Sequence, residues 1–160
     1  MTKEHVDKHL IHISEEDACH ILAQDIIDRI AEAEAYFGDA FKTAPKSLQA
    51  GIVDIIFNAG VEKSFDDDNT KFIKENLESG DYISAVKNLV LYENNQKLYK
   101  RNAYRILIAL EDFSINDRKE VLDSPEIKNH FQKTYQYLLS RKLSAEINEL
   151  KDLHDSMLIS

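Results

Sequence analysis

Cysteine occurs once in this 160-residue chain, at position 19. No intrachain disulfide can form, and the redox setting is barely constrained. Proline occurs twice and glycine four times, so turn signals are sparse and long helices are expected. No segment alternates convincingly with a period of two, which argues against half-buried strands. Basic side chains are outnumbered, 20 against 29 acidic ones, for a formal net charge of −9. Such a surface repels phosphate backbones and anionic headgroups, so neither a nucleic-acid nor a membrane role is expected. No apolar run approaches the roughly 18 residues of a spanning helix. The opening "MTKEHVDKHLIHIS" lacks the apolar core of a signal peptide. The expectation is a cytoplasmic protein without a cofactor, with delivery to the cell envelope by another route left open.

Helix signals fill the chain instead. Ser14 is a good N-cap, followed by three acids that complement a helix dipole. Ala18, Leu22, Ile26, Ile30, Ala33 and Phe37 then recur at helical spacing until Gly38. Cys19 falls within this pattern and reads as a small core residue. Pro45 suits the first turn of a second helix running to Gly60. "FDDDNTKFIKENLESG" predicts a third, with Asp66 to Asn69 at its N-terminus. "YISAVKNLVLY", capped by Asp81, predicts a fourth, and "LYKRNAYRILIALEDF" a fifth. A short helix after Ser114 precedes two longer amphipathic ones. One presents Ile127, Phe131, Tyr135 and Leu138, the other Leu143, Ile147, Leu150 and Met157. The fold class is all-α, with a boundary near residues 113–124 that separates a helical domain, 1–113, from an extension, 114–160. That extension either packs on the body or binds a partner through helices 125–158, where Phe131, Tyr135 and Tyr137 supply aromatic surface.

The stretch "SLQAGIVDIIFNAGVEKSF" (47–65) carries apolar residues on almost every side. A helix of that kind is a central one surrounded by others, and Gly51 leaves room for a close neighbour. Asp54 and Asn58, four apart, are its main polar exceptions. Such a stripe needs hydrogen-bond partners or lines a groove.

"LQAGIVDIIFNAG" resembles the central helix of the phage-type lysozymes, Gln-x-Ala followed by an apolar run and Phe-Asn-x-Gly. Three further pieces agree in order: "ISEEDACHILAQDI", "FIKENLESGDYISAVKNL" and "YKRNAYRILIAL". The likeness spans roughly residues 9–113. It implies a helical lobe of a glycosidase that cleaves peptidoglycan strands, with a Glu protonating the glycosidic oxygen. In that family the Glu, an Asp or Cys and a Thr lie well before a His that His9 would match. Only Glu4 is a glutamate upstream of His9, too close to be that acid. Glu15 and Glu16 read as part of a helix cap. Tyr104 stands where relatives often carry Glu, whereas Arg101 and Arg105 are retained.

Asn58 either hydrogen-bonds a sugar or caps its own helix. Asp54 lines a groove or makes a structural bond. Arg101 and Arg105, one turn apart, hold an anionic glycan group or form a solvated face near Glu93 or Asp112. These four are the candidate substrate-binding residues; no catalytic residue is assigned. His5, His9, His12 and His20 make a metal site only if they converge, and no metal is expected. The expected function is a lysozyme-like module that does not catalyse and binds glycan or a protein partner. The alternatives are an active muramidase with rebuilt or separately supplied carboxylates, and a general protein-interaction domain.

Overall fold

The computed structural model of the chain describes residues 14–159 and shows an all-α fold with nine α-helices among them. They are α1 (Glu15–Phe37), α2 (Asp39–Thr43), α3 (Lys46–Ser64), α4 (Ile73–Ser79), α5 (Tyr82–Lys87) and α6 (Tyr99–Ala109). The last three are α7 (Ile115–Asp123), α8 (Pro125–Ser140) and α9 (Ser144–Met157). No helix among the described residues is long and apolar enough to cross a membrane.

Local chemistry sets the ends. Ser14 Oγ accepts from the Asp17 N–H at 3.1 Å, and Glu15, Glu16 and Asp17 sit where the helix dipole favours negative charge. Gly60, at φ 77° and ψ 171°, breaks α3 just after the Phe57-Asn58 pair, and one short turn follows. Ser64 Oγ ties that turn back to the Ile55 carbonyl at 2.9 Å.

Three predicted elements come out shorter, for physical reasons. Asp66 to Asp68 lie in bends and a turn, and Asn69 precedes a 3₁₀ turn rather than the α-helix itself. Thr70 hydrogen-bonds the Ser64 carbonyl and forces a 3₁₀ turn (Thr70–Phe72) before α4 begins. The fourth helix stops at Lys87, and Leu89, Val90 and Leu91 run on as buried non-helical chain. Their backbone is satisfied from outside. Asn102 donates to the Leu91 carbonyl at 2.9 Å and accepts from the Leu91 N–H at 3.1 Å. The fifth helix spans 99–109 rather than 98–113.

At the centre, α3 buries Leu48, Ile52, Val53, Ile55 and Ile56 against α1 and α6. At Gly51, α3 packs tightly against α6 and Leu89. A Cβ there would lie 3.0 Å from Leu89 Cδ1 and 3.3 Å from Ala109 Cβ. Ser47 closes the far end, its N–H donating to Asp112 at 2.9 Å and its hydroxyl to the Ala109 carbonyl at 2.7 Å. The helix is not apolar all round in its setting. Ala50 and Phe57 are exposed and Asp54 and Asn58 half-buried, so one edge faces outward.

Helices α7 to α9 share a continuous apolar cluster with this body, through Val121, Leu122, Ile127, Phe131, Leu138, Leu150 and Met157. Tyr135 and Tyr137 pack against that cluster. The Tyr135 hydroxyl meets His154 Nδ1 at 3.1 Å, joining α8 to α9, and burial pushes its pKa up to about 12. Burial lowers the pKa of both His130 and His154.

Both histidines therefore bind protons more readily in the unfolded chain. Their contribution to stability is complete above the unfolded value, about 6.5, and is lost as pH falls through the lower folded values. Thermal melts at pH 7.5 and 5.5 should show a lower midpoint at the acid pH, and His154→Gln should shrink the difference. A midpoint that rises on acidification would contradict this.

Candidate functional site

The N-terminal half of α1 leaves the body. All residues from Ser14 to Asp28 are exposed, and burial begins only at Arg29 and Ile30. The expected packed face is therefore packed at one end alone: Ala33 and Phe37 are buried, whereas Ala18, Leu22 and Ile26 are not. Cys19, expected in the core, is exposed for the same reason. Periodicity marked the correct face of the helix. It carried no information on how far the neighbouring helices reach.

Where α1 meets α3, a groove of about 480 Å³ opens. Its walls are Ile26 and Ile30 of α1, Phe41 of α2, and Val53 and Phe57 of α3. Ile26 and Phe57 keep 39% and 38% of their surfaces exposed, although both are large apolar side chains. Glu34, Lys46 and Gln49 provide the polar margin. Apolar exposure continues beyond the groove along α1 through Leu22.

Asp54 borders this groove and a second hollow of about 300 Å³ beside Arg101, Tyr104 and Ile108. The structure brings three of the four sequence candidates together here. Arg101 clamps Asp54 with two hydrogen bonds, Nη2 to Oδ1 at 2.8 Å and Nε to Oδ2 at 3.3 Å. Arg105 Nε donates to Oδ2 at 2.9 Å. The three differ in burial: side-chain exposure is 47% for Arg101, 35% for Asp54 and 1% for Arg105. Beneath them Arg105 Nη1 donates to the Leu89 carbonyl at 2.9 Å and to Asn102 Oδ1. Arg105 Nη2 is buried with no partner.

Burial alone would raise the Asp54 pKa. The Arg101 hydrogen bond, with the charge and hydrogen bond of Arg105, outweighs it and holds the carboxyl below the usual range. Burial pushes Arg105 in the opposite sense, below its ordinary value, and Asp54 offsets part of that. Glu93 and Asp112, the neighbours expected for these arginines, are engaged elsewhere, with Asn69 and Ser47. Asn58 stays apart from the triad, its Nδ2 donating to the Asp54 carbonyl at 3.1 Å, one turn back along its own helix.

Glu34 went unselected in the sequence. Its spacing of four from Ile30 and eight from Ile26 places it on the groove side of α1, which was the available signal. His5, His9, His12 and Glu4 lie outside the described residues. His20 is exposed, 3.9 Å from Glu16. Among the described residues no group of three or more His, Cys, Asp or Glu side chains could hold a metal ion.

No family model, curated protein or solved structure matches this chain.

Proposed function

We propose that this chain is a lysozyme-like helical module that binds a protein partner without catalysing a reaction, with the α1–α3 groove as its docking surface. The observation that carries this is the apolar surface left open there: Leu22, Ile26 and Phe57 are exposed side by side with the half-buried Ile30. Contiguous exposed apolar surface marks an interaction site. A helix segment of the length that projects here is marginal in water by itself. Covering Ile26 or Phe57 would contribute about 1 kcal/mol each from the surface still open. Glycan fits less well, because Asp54 is already held by three hydrogen bonds from Arg101 and Arg105, and Arg105 is almost wholly enclosed.

A photo-crosslinking residue placed at position 26 or 57, in the cell that makes the protein, tests this. The same protein adduct is expected from both positions and none from exposed Lys119. Absence of an adduct above the Lys119 background would sink the reading.

One observation favours a second reading, the muramidase. Glu34 lines the groove, where a carboxylic acid could meet a sugar linkage once another chain completes the site. The chain by itself should not lyse purified cell walls. Lysis that Glu34→Gln abolishes would replace the binding reading with the enzymatic one.

A further inference from the structure

We infer that the partner presents a cationic amphipathic helix of about three turns to the α1–α3 groove. This rests on the docking reading above and adds the chemistry of what docks. The groove is bounded by α1 and α3, with Phe41 of α2 adding to its wall, and among the described residues there is no strand whose edge could pair with an extended peptide. A third helix brings its own backbone hydrogen bonds and needs only an apolar face. The open stripe from Leu22 to Ile30 runs along α1 for ~12 Å, with Val53 and Phe57 across from it. Anchors on a partner helix at i, i+3 or i+4 and i+7 cover that length.

Charge selects among the possible occupants. Helix α1 carries seven carboxylates, Glu15, Glu16, Asp17, Asp25, Asp28, Glu32 and Glu34, against one arginine. That arginine, Arg29, is already held by Glu32 at 2.9 Å. Asp25 flanks the stripe on one side of α1, and Glu16 and Glu34 flank it on the other, against one lysine, Lys46, at the groove margin. A second copy of this chain would press these carboxylates against their own kind, and an anionic bilayer would be repelled. A helix with Leu-type anchors and Lys or Arg at its margins meets apolar surface with apolar surface and acid with base.

Three fluorescein-labelled peptides of about 18 residues test this on the full chain. The first has Leu at helical spacing with Lys elsewhere, the second replaces Lys with Glu, and the third alternates Leu and Lys with period two. By anisotropy, the first should bind at least about tenfold more tightly than either of the others. Ile26→Ser with Phe57→Ser should weaken it by a similar factor while the circular dichroism spectrum is retained. Asp25→Lys with Glu34→Lys should reverse the preference between the first two. Equal binding of the Lys and Glu helices at Ile26 and Phe57, read by NMR shifts, overturns the charge assignment and leaves the docking reading standing. Failure of both helices to bind, with the Ile26, Ile30 and Phe57 resonances unmoved, overturns the two together. A dimer in sedimentation that Ile26→Ser dissociates makes a second copy the occupant and also overturns the inference.

Discussion

Asp54→Ala is expected to destabilise the fold by about 3 kcal/mol, the lower end of the range for breaking a buried ion pair. The loss is asymmetric around the triad. Arg105 is almost wholly enclosed and cannot shed its proton at any ordinary pH, so without Asp54 a positive charge is left in the interior. Its Nη2 already lacks a partner, and the Leu89 carbonyl and Asn102 Oδ1 that accept from Nη1 carry no charge to replace the carboxylate. The figure stays at the low end because Asp54 keeps about a third of its side chain in water. Arg101→Ala removes the other half of the clamp from a half-exposed position, and its cost should be under about 1 kcal/mol. Urea melts of the two variants decide the matter. Equal midpoints would mean that the triad is a surface feature and not a buried one. The pH dependence carries the same sign. Asp54 has a lowered folded pKa, so its contribution is present above the unfolded value, about 3.9, and disappears as pH falls through the folded one. Acid unfolding of Asp54→Asn should therefore lose a component at the acid end that the parent retains.

Asn102→Leu should cost a comparable amount, about 3 kcal/mol, for a different reason. The side chain is fully buried, and its amide serves both backbone groups of Leu91. Leucine keeps the branched skeleton, with bulkier methyl groups in place of the amide, and returns neither bond. Each buried backbone group left unpaired costs about 1–3 kcal/mol. The Leu91 N–H has Asn102 as its acceptor and no carbonyl of a helix to fall back on, so amide exchange at Leu91 should accelerate beyond the global change. The Asn102 oxygen also accepts from Arg105. The double variant Asp54→Ala, Asn102→Leu should therefore fall short of the sum of the singles. Strict additivity would show that the two sets of bonds do not form one network.

Much of the fold was legible from periodic apolar residues and a few capping signals. Ser14, Gly38, Gly60, Gly80, Asp81 and Ser114 each stand at or beside a break or cap that local chemistry alone predicts. Leu89 to Leu91 were misassigned because an apolar run following a helix looks the same whether it continues helical or turns into the core. The deciding partner, Asn102, lies eleven residues from Leu91. The candidate site was half legible. Asp54 stood out as a carboxylate on an apolar helix, and Arg101 and Arg105 as a basic pair one turn apart. That they answer one another across 47 and 51 residues of chain could not be read from spacing.

The sequence by itself determined the helical class, the central place of residues 48–56 and the acidic character of α1, because these depend on period, composition and charge within a few turns. Only the tertiary structure decided that Cys19, Leu22 and Ile26 lie in the open, that Arg105 is enclosed, and that Glu34 borders a groove. Those outcomes depend on how far one helix extends past another, and a distance between elements is not encoded in the residues of either alone.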